Sequence, residues 1–286
     1  MTINIRNRFS SVSANSKLLA VFVVCLLVFG FLSGNACVAQ SGGIKTQIEA
    51  DYKEYLEAAN KTAGAKKYLE KNAKAKIAVW KTAAEAGIPE GQLLLGNCYL
   101  WGNGVTKDYT EAVKWFRKAA DQGHAKAQNN LGGCYLTGDG VSPDGVEAAR
   151  WYRKAAEQGE ATAAYNLGMC YDRGRGAVQD GAEAVKWYRK AAEQGHAPGQ
   201  WMLGCCYYFG NGVTKDDAEA VKWLRKAAEQ GYAEAQWRLG ECYNSGEGVT
   251  QDEAEAVKWY RKAAEQGHTE SLKILKEQGI QVQPAK

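Results

Sequence analysis

Two hydrophobic patterns alternate along most of this chain, and both have the period of an amphipathic helix. In the first pattern Ala127, Leu131, Cys134 and Tyr135 lie at i, i+4, i+7 and i+8, so they share one helical face. In the second pattern valine, a tryptophan–aromatic pair and a double alanine face one side, as in EAVKWYRKAAEQG at 183–195. The alternation predicts pairs of helices, called below the first and second helix of each pair.

The helix pairs recur with a fixed period. A glycine ends each second helix at a constant interval of 36 residues, at Gly87, Gly123, Gly159, Gly195, Gly231 and Gly267. A period of this size is typical of a stacked array in which no unit can bury its apolar face alone. We therefore predict an all-α solenoid with five full repeats: 88–123, 124–159, 160–195, 196–231 and 232–267.

Short sequence signals predict how each helix begins and ends. A Gly-x-Gly loop such as Gly138/Gly140 follows each first helix, where glycine accepts a positive φ. Each second helix opens with an aspartate and has a glutamate three residues later, as at Asp108 and Glu111. This spacing predicts a capping box, in which the aspartate accepts from a first-turn amide and the glutamate reaches back to the cap amide. Gly132, which has no side chain, predicts close approach of a neighbouring helix.

The N-terminus has the layout of a secretory signal peptide. Residues 1–17 are polar and basic, 18–32 are apolar, and small residues follow up to 39. The apolar run is shorter than the roughly 20 residues that a spanning helix prefers. We expect cleavage just before Gln40 and a secreted or periplasmic protein of the cell envelope; the alternative is an uncleaved N-terminal membrane anchor.

The array is expected to have distinct ends. Residues 40–46 read as a flexible linker, and 47–87 as a degenerate, more polar N-terminal capping repeat. Residues 268–279 repeat only a first helix and predict a C-terminal capping helix, followed by a loose tail at 280–286. End units with a solvated outer face keep such arrays soluble.

Charge excludes nucleic-acid binding, and cysteine spacing argues against disulfides between repeats. The chain has 36 lysines and arginines against 32 acidic residues, and Arg6, Arg8 and Lys17 of the leader account for most of the excess. The remainder is nearly neutral, without the basic face that nucleic-acid binding requires. One cysteine recurs in each repeat, at Cys98, Cys134, Cys170, Cys206 and Cys242. Packed helices lie about 8–10 Å apart and a disulfide needs Cα atoms within about 7 Å, so these are predicted to be buried thiols.

Candidate catalytic chemistry is sparse. His124, His196 and His268 open first helices at the same repeat position, too far apart to share a metal, and are predicted to be solvated helix-start residues. The recurrent aspartates and glutamates are accounted for as caps, which leaves no carboxylate pair for acid–base work. We expect no metal and no cofactor.

The repeated phrases resemble a known family. The pattern AxAQxxLGxCYxxGxGV, followed by DxxEAVKWYRKAAEQG, is similar to the Sel-1-like repeat, a relative of the tetratricopeptide repeat. The resemblance implies a right-handed α-solenoid that acts as a scaffold for protein or peptide partners, often in exported or envelope proteins of bacteria.

A cysteine-rich branch of that family has been linked to penicillin binding and β-lactamase activity. The resemblance therefore implies an alternative function, a cell-envelope enzyme of this type. The serine enzymes of that chemistry use Ser-x-x-Lys and Lys-Thr-Gly elements, and neither occurs in this chain. The branch also carries paired cysteines in each unit, whereas this chain has essentially one. A non-enzymatic scaffold is the favoured prediction.

Differences between the repeats indicate where a partner binds. The sixth, tenth, thirteenth and fourteenth positions of each repeat, counted from its first residue, fall in the first helix, vary between copies and lie along one helical stripe. In tetratricopeptide repeats the matching stripe lines a concave groove, and the resemblance implies the same here. The predicted groove residues are Leu93, Asn97, Trp101, Asn129, Tyr165, Met169, Trp201, Cys205, Tyr208, Phe209, Trp237, Glu241 and Asn244.

The predicted ligand is an extended peptide or a partner helix. Trp201, Tyr208, Phe209 and Trp237 would supply most of the affinity, because interface hot spots are rich in aromatic residues. Polar Asn97, Asn129, Asn166 and Asn244 would bond the backbone of a peptide. Two alternatives stay open: Trp201 and Trp237 could instead pack the first helix on its neighbour, and Cys205 could be a groove filler or a reactive thiol. A purely structural, self-associating array is a third class of function, although a monomer is expected.

Overall fold

The computed structural model describes residues 42–59 and 64–281, which form thirteen helices and no strand. The predicted signal peptide, 1–39, lies outside these residues. The helices are α1 (42–59), α2 (Gly64–Glu85), α3 (Pro89–Trp101), α4 (Tyr109–Asp121), α5 (Ala125–Thr137), α6 (Gly145–Glu157), α7 (Ala161–Arg173), α8 (Gly181–Glu193), α9 (Ala197–Phe209), α10 (Asp217–Glu229), α11 (Ala233–Ser245), α12 (Glu253–Glu265) and α13 (Thr269–Glu277).

Helices α3 to α12 form the five predicted pairs. Each of these helices has 13 residues, and from α3 to α12 each packs on the helix that follows it in the chain. First helices of successive repeats also touch, as α5 touches α7 and α7 touches α9. All five pairs belong to one compact unit, Lys66–Lys286. The prediction of an all-α solenoid of tandem repeats is confirmed.

The flanks differ from prediction in two places. Residues 42–46, predicted to be linker, are helical, and the Thr46 hydroxyl donates to the Gly42 carbonyl at 3.1 Å. The two glycines there cost a helix only about 1 kcal/mol each, which the helix-forming residues that follow offset. In the predicted tail, Ile280 packs against the cluster around Leu275, and its amide donates to the Leu275 carbonyl at 2.8 Å.

Close contact between the two helices of a repeat holds its core. In the second repeat Leu131 and Cys134 of the first helix are buried with Trp151 and Tyr152 of the second. A Cβ added to Gly132 would lie 2.8 Å from the ring of Tyr152, so only glycine fits without a shift. The close approach predicted at this glycine is confirmed, and the approaching helix is the second helix of the same repeat.

The aspartate caps are confirmed, but the reciprocal half of the capping box is wrong. The Asp108 carboxylate accepts from the Thr110 and Glu111 amides at 2.9 and 3.1 Å. The Asp108 amide donates instead to the Tyr99 carbonyl at 3.0 Å. Because that bond ties the loop back to the first helix, Glu111 is released to pair with Lys114 at 2.9 Å.

The Gly-x-Gly loops have a structural role. Gly138 ends α5 with φ 84°, as the sequence predicts for the first glycine. Gly140 also has a positive φ, 72°, and a Cβ there would lie 2.2 Å from the Tyr109 carbonyl oxygen. The second glycine therefore lets the loop rest on the start of the second helix in the preceding repeat.

A glutamine pair joins each repeat to the one before it, with one exception. Gln128 donates through Nε2 to the Ala120 carbonyl at 3.1 Å and accepts from Gln158 Nε2 at 2.7 Å. Gln92, Gln200 and Gln236 make the same two bonds. The third repeat has Ala164 at this position, so the pair is missing there.

Other contacts cross the junction between the second and third repeats. Lys126 forms an ion pair with Glu160 at 3.3 Å. Asn166 donates to the Asn129 side-chain oxygen at 2.9 Å. An ion pair and an amide bond thus take the place of the glutamine pair at this junction.

The recurrent cysteines are free buried thiols, as predicted. Burial raises the pKa of Cys134 to about 11 and that of Cys206 to about 12, because the charged thiolate is poorly solvated inside the stack. These side chains therefore act as small apolar groups. In the described part of the chain, no helix has both the length and the apolar character needed to cross a membrane.

Candidate binding surface

The structure places most of the predicted groove residues at partly accessible positions. Phe209 and Asn244 are exposed. The half-buried ones are Trp101, Asn129, Tyr165, Met169, Trp201, Cys205, Tyr208, Trp237 and Glu241. We call the sixth, seventh, tenth, thirteenth and fourteenth positions of the repeats, which lie on the first helices, the variable stripe.

Leu93 and Asn97 were predicted wrongly. Both are 0% exposed, so neither is available to a partner. In the first repeat every residue from Gly91 to Cys98 is buried, since α3 is apolar all round rather than on one face. Asn97 accepts from Asn130 Nδ2 at 3.0 Å, which satisfies its buried oxygen. The unbroken apolar run Leu93-Leu94-Leu95 is the sequence signal that would have indicated this.

The aromatic residues at the sixth position contact the next repeat. Ring centroids lie 5.3 Å apart for Tyr165 and His196, and 5.6 Å apart for Trp201 and Tyr232. The ring of Trp237 stacks on that of His268 at 5.2 Å. These contacts favour the packing role that the sequence left open for Trp201 and Trp237, while half-burial leaves part of each ring accessible.

The histidines begin first helices as predicted, but all three are half-buried rather than fully solvated. His124 Nδ1 accepts from the Ala127 amide at 3.4 Å, and His196 Nδ1 from the Gly199 amide at 3.2 Å. Both are half-buried, and desolvation lowers the pKa of each imidazole. The neutral ring is the form that caps the helix, since a protonated Nδ1 cannot accept a hydrogen bond.

The tenth position faces the second helix of its own repeat. The Tyr260 hydroxyl donates to the Glu241 carboxylate, so this carboxylate already has a hydrogen-bond partner within its own repeat. At Cys205 burial raises the pKa of the thiol to about 11, against the opposing charge of Arg238. A protonated, half-buried thiol supports the filler interpretation of Cys205 over the reactive one.

Aromatic rings and one arginine gather where the fourth and fifth repeats meet. Tyr208 and Phe209 pack edge to face at 4.9 Å, and the Tyr208 hydroxyl donates to Glu247. The Arg238 guanidinium lies 4.3 Å from the ring centroid of Trp237, 5.3 Å from Tyr208 and 5.5 Å from Phe209. We call Tyr208, Phe209, Trp237 and Arg238 the aromatic–arginine cluster.

Arg238 is a residue that the sequence reasoning missed. It occupies the seventh position of its repeat, next to Trp237 at the sixth position, which was among the predicted groove residues. That position reads Leu94, Asn130, Asn166, Met202 and Arg238 along the array, so it differs in nearly every repeat. Its variability is the signal that would have added it to the candidates.

Two cavities open along the variable stripe of the second and third repeats. One of about 120 Å³ is lined by Tyr165, Met169 and Arg173, among others. The other, of about 250 Å³, is lined by Asn129, Asn130 and further residues. Within the described residues, no group of three or more histidine, cysteine, aspartate or glutamate side chains is arranged to hold a metal ion.

Tandem helix pairs with a recurrent core and a variable stripe define a repeat protein of the α-solenoid class. The model of the Sel1 repeat matches five consecutive segments: 89–124, 125–160, 161–196, 197–232 and 233–268. The chain belongs to the Sel1 repeat family, whose members are generally non-enzymatic scaffolds for protein interaction.

Solved structures of Sel1 repeat proteins are similar to this chain. One is c5321, a protective antigen present in uropathogenic Escherichia coli strains, at 38% identity and a TM-score of 0.67 over 82% of this chain and 49% of that protein. Another is a Sel1 repeat protein from Oxalobacter formigenes, at 40% identity and a TM-score of 0.65 over 71% of this chain and 84% of that one. The chain thus spans about half the length of c5321. No curated protein matches it.

Proposed function

We propose that this protein is an exported scaffold that binds an extended peptide segment of a partner protein along the variable stripe. The observation that carries the proposal is the aromatic–arginine cluster. Phe209 is 55% exposed although it is a large apolar residue, and it adjoins Tyr208 of its own repeat and Arg238 of the next. Tryptophan, tyrosine and arginine are the residues enriched in interface hot spots.

The cluster is a local feature of an otherwise repetitive surface. At the positions of Tyr208 and Phe209 the fifth repeat has Asn244 and Ser245, and the second has Leu136 and Thr137. The side chains that recur in every repeat pack the core or cap helices: Leu131 is buried and Asp108 caps α4. A surface that differs from copy to copy is therefore the part of the molecule that can distinguish one partner from another.

Two further observations support export. The leader at 1–39 has the three-part layout of a signal peptide. A relative of 38% identity, c5321, is a protective antigen, and this supports an exported role for the present chain. We infer secretion or a periplasmic location after cleavage, with an N-terminal anchor as the alternative.

The test compares two exposed apolar residues. Phe209→Ser removes the exposed ring of the cluster, and Val178→Ser is the control, because Val178 is 87% exposed but lies in a loop of the third repeat. Each variant is crosslinked in the native cell, and the partner segment that it contacts is identified. That segment is then titrated against the purified protein to measure its affinity. Loss of a hot spot costs about 2 kcal/mol or more, so Phe209→Ser is expected to weaken binding about 30-fold.

Several outcomes decide the proposal. The proposal is supported if the control binds with unchanged affinity and Phe209→Ser binds more weakly. Equal affinity of wild type, Phe209→Ser and the double variant Phe209→Ser with Tyr208→Ser contradicts it. A discrete monomer at two protein concentrations argues against a self-associating array. The enzymatic alternative stays a prediction, and turnover of a chromogenic β-lactam by the purified protein would establish it.

A further inference from the structure

We propose that the smaller cavity of the variable stripe binds an acidic side chain of the partner peptide, an aspartate or a glutamate that has an apolar neighbour. This inference rests on the proposed function and adds the chemistry of one subsite. The cavity lies between the first helices α5 and α7, and we call it the arginine cavity. Its lining includes Leu136, Tyr165, Asn166, Met169, Arg173 and Arg175.

The charge of the arginine cavity comes from two arginines. Arg173 and Arg175 are the charged residues in its lining, and both are exposed at the rim. Within residues 42–59 and 64–281, neither guanidinium has a carboxylate at ion-pairing distance. An arginine fork is matched in shape to a carboxylate and can bind it through two parallel hydrogen bonds.

Two acidic residues of the same helix and its N-cap, Asp172 and Glu160, interact with other groups. Asp172 raises the pKa values of Tyr188 and Cys206, so its charge acts towards the second helix and the fourth repeat, and it does not line the cavity. Glu160, at the other end of the same helix, is paired with Lys126 at 3.3 Å. The two arginines are therefore not neutralised from within the lining.

Neutral donors and an apolar wall complete the subsite. Burial raises the pKa of the Tyr165 hydroxyl, and the positive charge of Arg173 partly opposes that rise. A protonated phenol can donate a hydrogen bond to a bound carboxylate. Leu136 and Met169 line the same cavity, and they suit a short apolar side chain next to the acid.

The arginine cavity suits a residue within a chain rather than the end of a chain. The variable stripe continues on one side to the larger cavity at Asn129 and Asn130, and on the other side to Trp201 and the aromatic–arginine cluster. Stacked helices lie roughly 10 Å apart, so the cluster is about 10–20 Å from the cavity. An extended chain spans about 3.3 Å per residue. In the bound peptide the acidic residue should therefore lie roughly three to six residues from the large apolar residue, aromatic or aliphatic, that contacts the aromatic–arginine cluster.

A selection from a displayed library tests the inference. Random twelve-residue peptides are selected on the full chain, on the double variant Arg173→Gln with Arg175→Gln, and on the control Arg150→Gln. Arg150 is an exposed arginine of a second helix that pairs with Glu147 at 2.8 Å. Thermal unfolding followed by circular dichroism checks that all three proteins are folded.

The expected result is specific in sequence and in spacing. Wild type and Arg150→Gln enrich an aspartate or glutamate three to six positions from a large apolar residue. The double variant keeps the apolar preference and loses the acidic one. For an enriched peptide, replacing its acid by the amide weakens binding to wild type at least tenfold and leaves binding to the double variant unchanged, as expected for two groups in direct contact.

The failure of the inference is distinguishable from the failure of the proposed function. Apolar peptides without an acid, or an acidic preference that persists in the double variant, would overturn the subsite and leave the scaffold function standing. If wild type enriches no peptide at all, both the binding stripe and its acidic subsite are rejected.

Discussion

The ring of Tyr152 packs directly on the backbone of Gly132, where an added Cβ would lie 2.8 Å from a ring carbon. The same relationship joins the two helices of every repeat. The other pairs are Gly96 with Phe116, Gly168 with Tyr188, Gly204 with Leu224 and Gly240 with Tyr260. The distance between the two helices is thus set by a large side chain from one helix and a missing side chain on the other.

Two adjacent glycines allow this contact to be tested. We expect Gly132→Ala to lower the free energy of unfolding by about 1–3 kcal/mol, because the Tyr152 ring has to shift. In Gly133→Ala the nearest atom to the new Cβ would be the Tyr152 hydroxyl oxygen at 3.8 Å. This variant should be neutral or up to about 1 kcal/mol more stable, since alanine favours a helix. Urea unfolding of both proteins makes the comparison, and equal destabilisation would show that close packing is not the cause.

The glutamine pairs should contribute measurably to stability. Gln200→Ala removes the bond from Gln200 Nε2 to the Ala192 carbonyl and leaves Gln230 without its acceptor Gln200 Oε1. Unmatched buried polar groups cost about 1–3 kcal/mol, so the urea midpoint should fall accordingly. The control is Gln194→Ala, whose amide bonds only the exposed Lys190 carbonyl at 3.0 Å. A loss as large in the control as in Gln200→Ala would contradict this account.

The capping histidines predict a loss of stability in mild acid. Burial lowers the pKa of His124 and of His196 below the ordinary value of 6.5, so the folded state binds protons more weakly than the unfolded state. Their contribution to stability is complete above about pH 6.5 and is lost as the pH falls below it. Denaturant unfolding at pH 7.5 and pH 5 measures the effect.

The matched variant for this measurement is the double substitution His124→Asn with His196→Asn. Asparagine is also a good helix cap but does not titrate in this range. Its unfolding free energy should change less between the two pH values than that of wild type. If both proteins lose the same amount, other groups are responsible for the acid sensitivity.

Cys205 should react slowly while the protein is folded. With a pKa raised to about 11, only about one thiol in a thousand is ionised at pH 8, and the thiolate is the reactive form. Alkylation by iodoacetamide, followed residue by residue with mass spectrometry, should label Cys205 far faster in urea than in buffer. Labelling in buffer at the rate of a small free thiol would restore the interpretation of Cys205 as a reactive site.

The sequence predicted those parts of the fold that every repeat builds in the same way. Leu131, Gly132 and Asp144 have equivalents in each copy, and one local rule therefore accounts for five contacts. Asp144 caps α6 through two amides, as the spacing predicted. Periodicity was sufficient for these contacts, but not for the glutamate half of the capping box, because a bond from the Asp108 amide to the Tyr99 carbonyl replaces it within the same repeat.

The predictions failed where a contact comes from outside the repeat or from its neighbours. Leu93 was selected because its position varies, but the first repeat lies at one end of the array and is buried in its own way. Arg238 contacts rings from two repeats, a relationship that no single repeat displays. The binding role of the variable stripe stays a prediction that the proposed experiments test.

Because Ala164 replaces a glutamine, the junction before the third repeat should respond to ionic strength differently from the other junctions. Where other junctions have a neutral glutamine bond to the preceding helix, the junction before the third repeat has the Lys126–Glu160 ion pair and the Asn166–Asn129 amide bond. Dissolved salt screens this ion pair only in part, because the Glu160 side chain is only 10% exposed, but it weakens an amide bond still less. Concentrated salt should therefore loosen the stack first at this one seam, beside the arginine cavity, while the glutamine-linked halves on either side hold together.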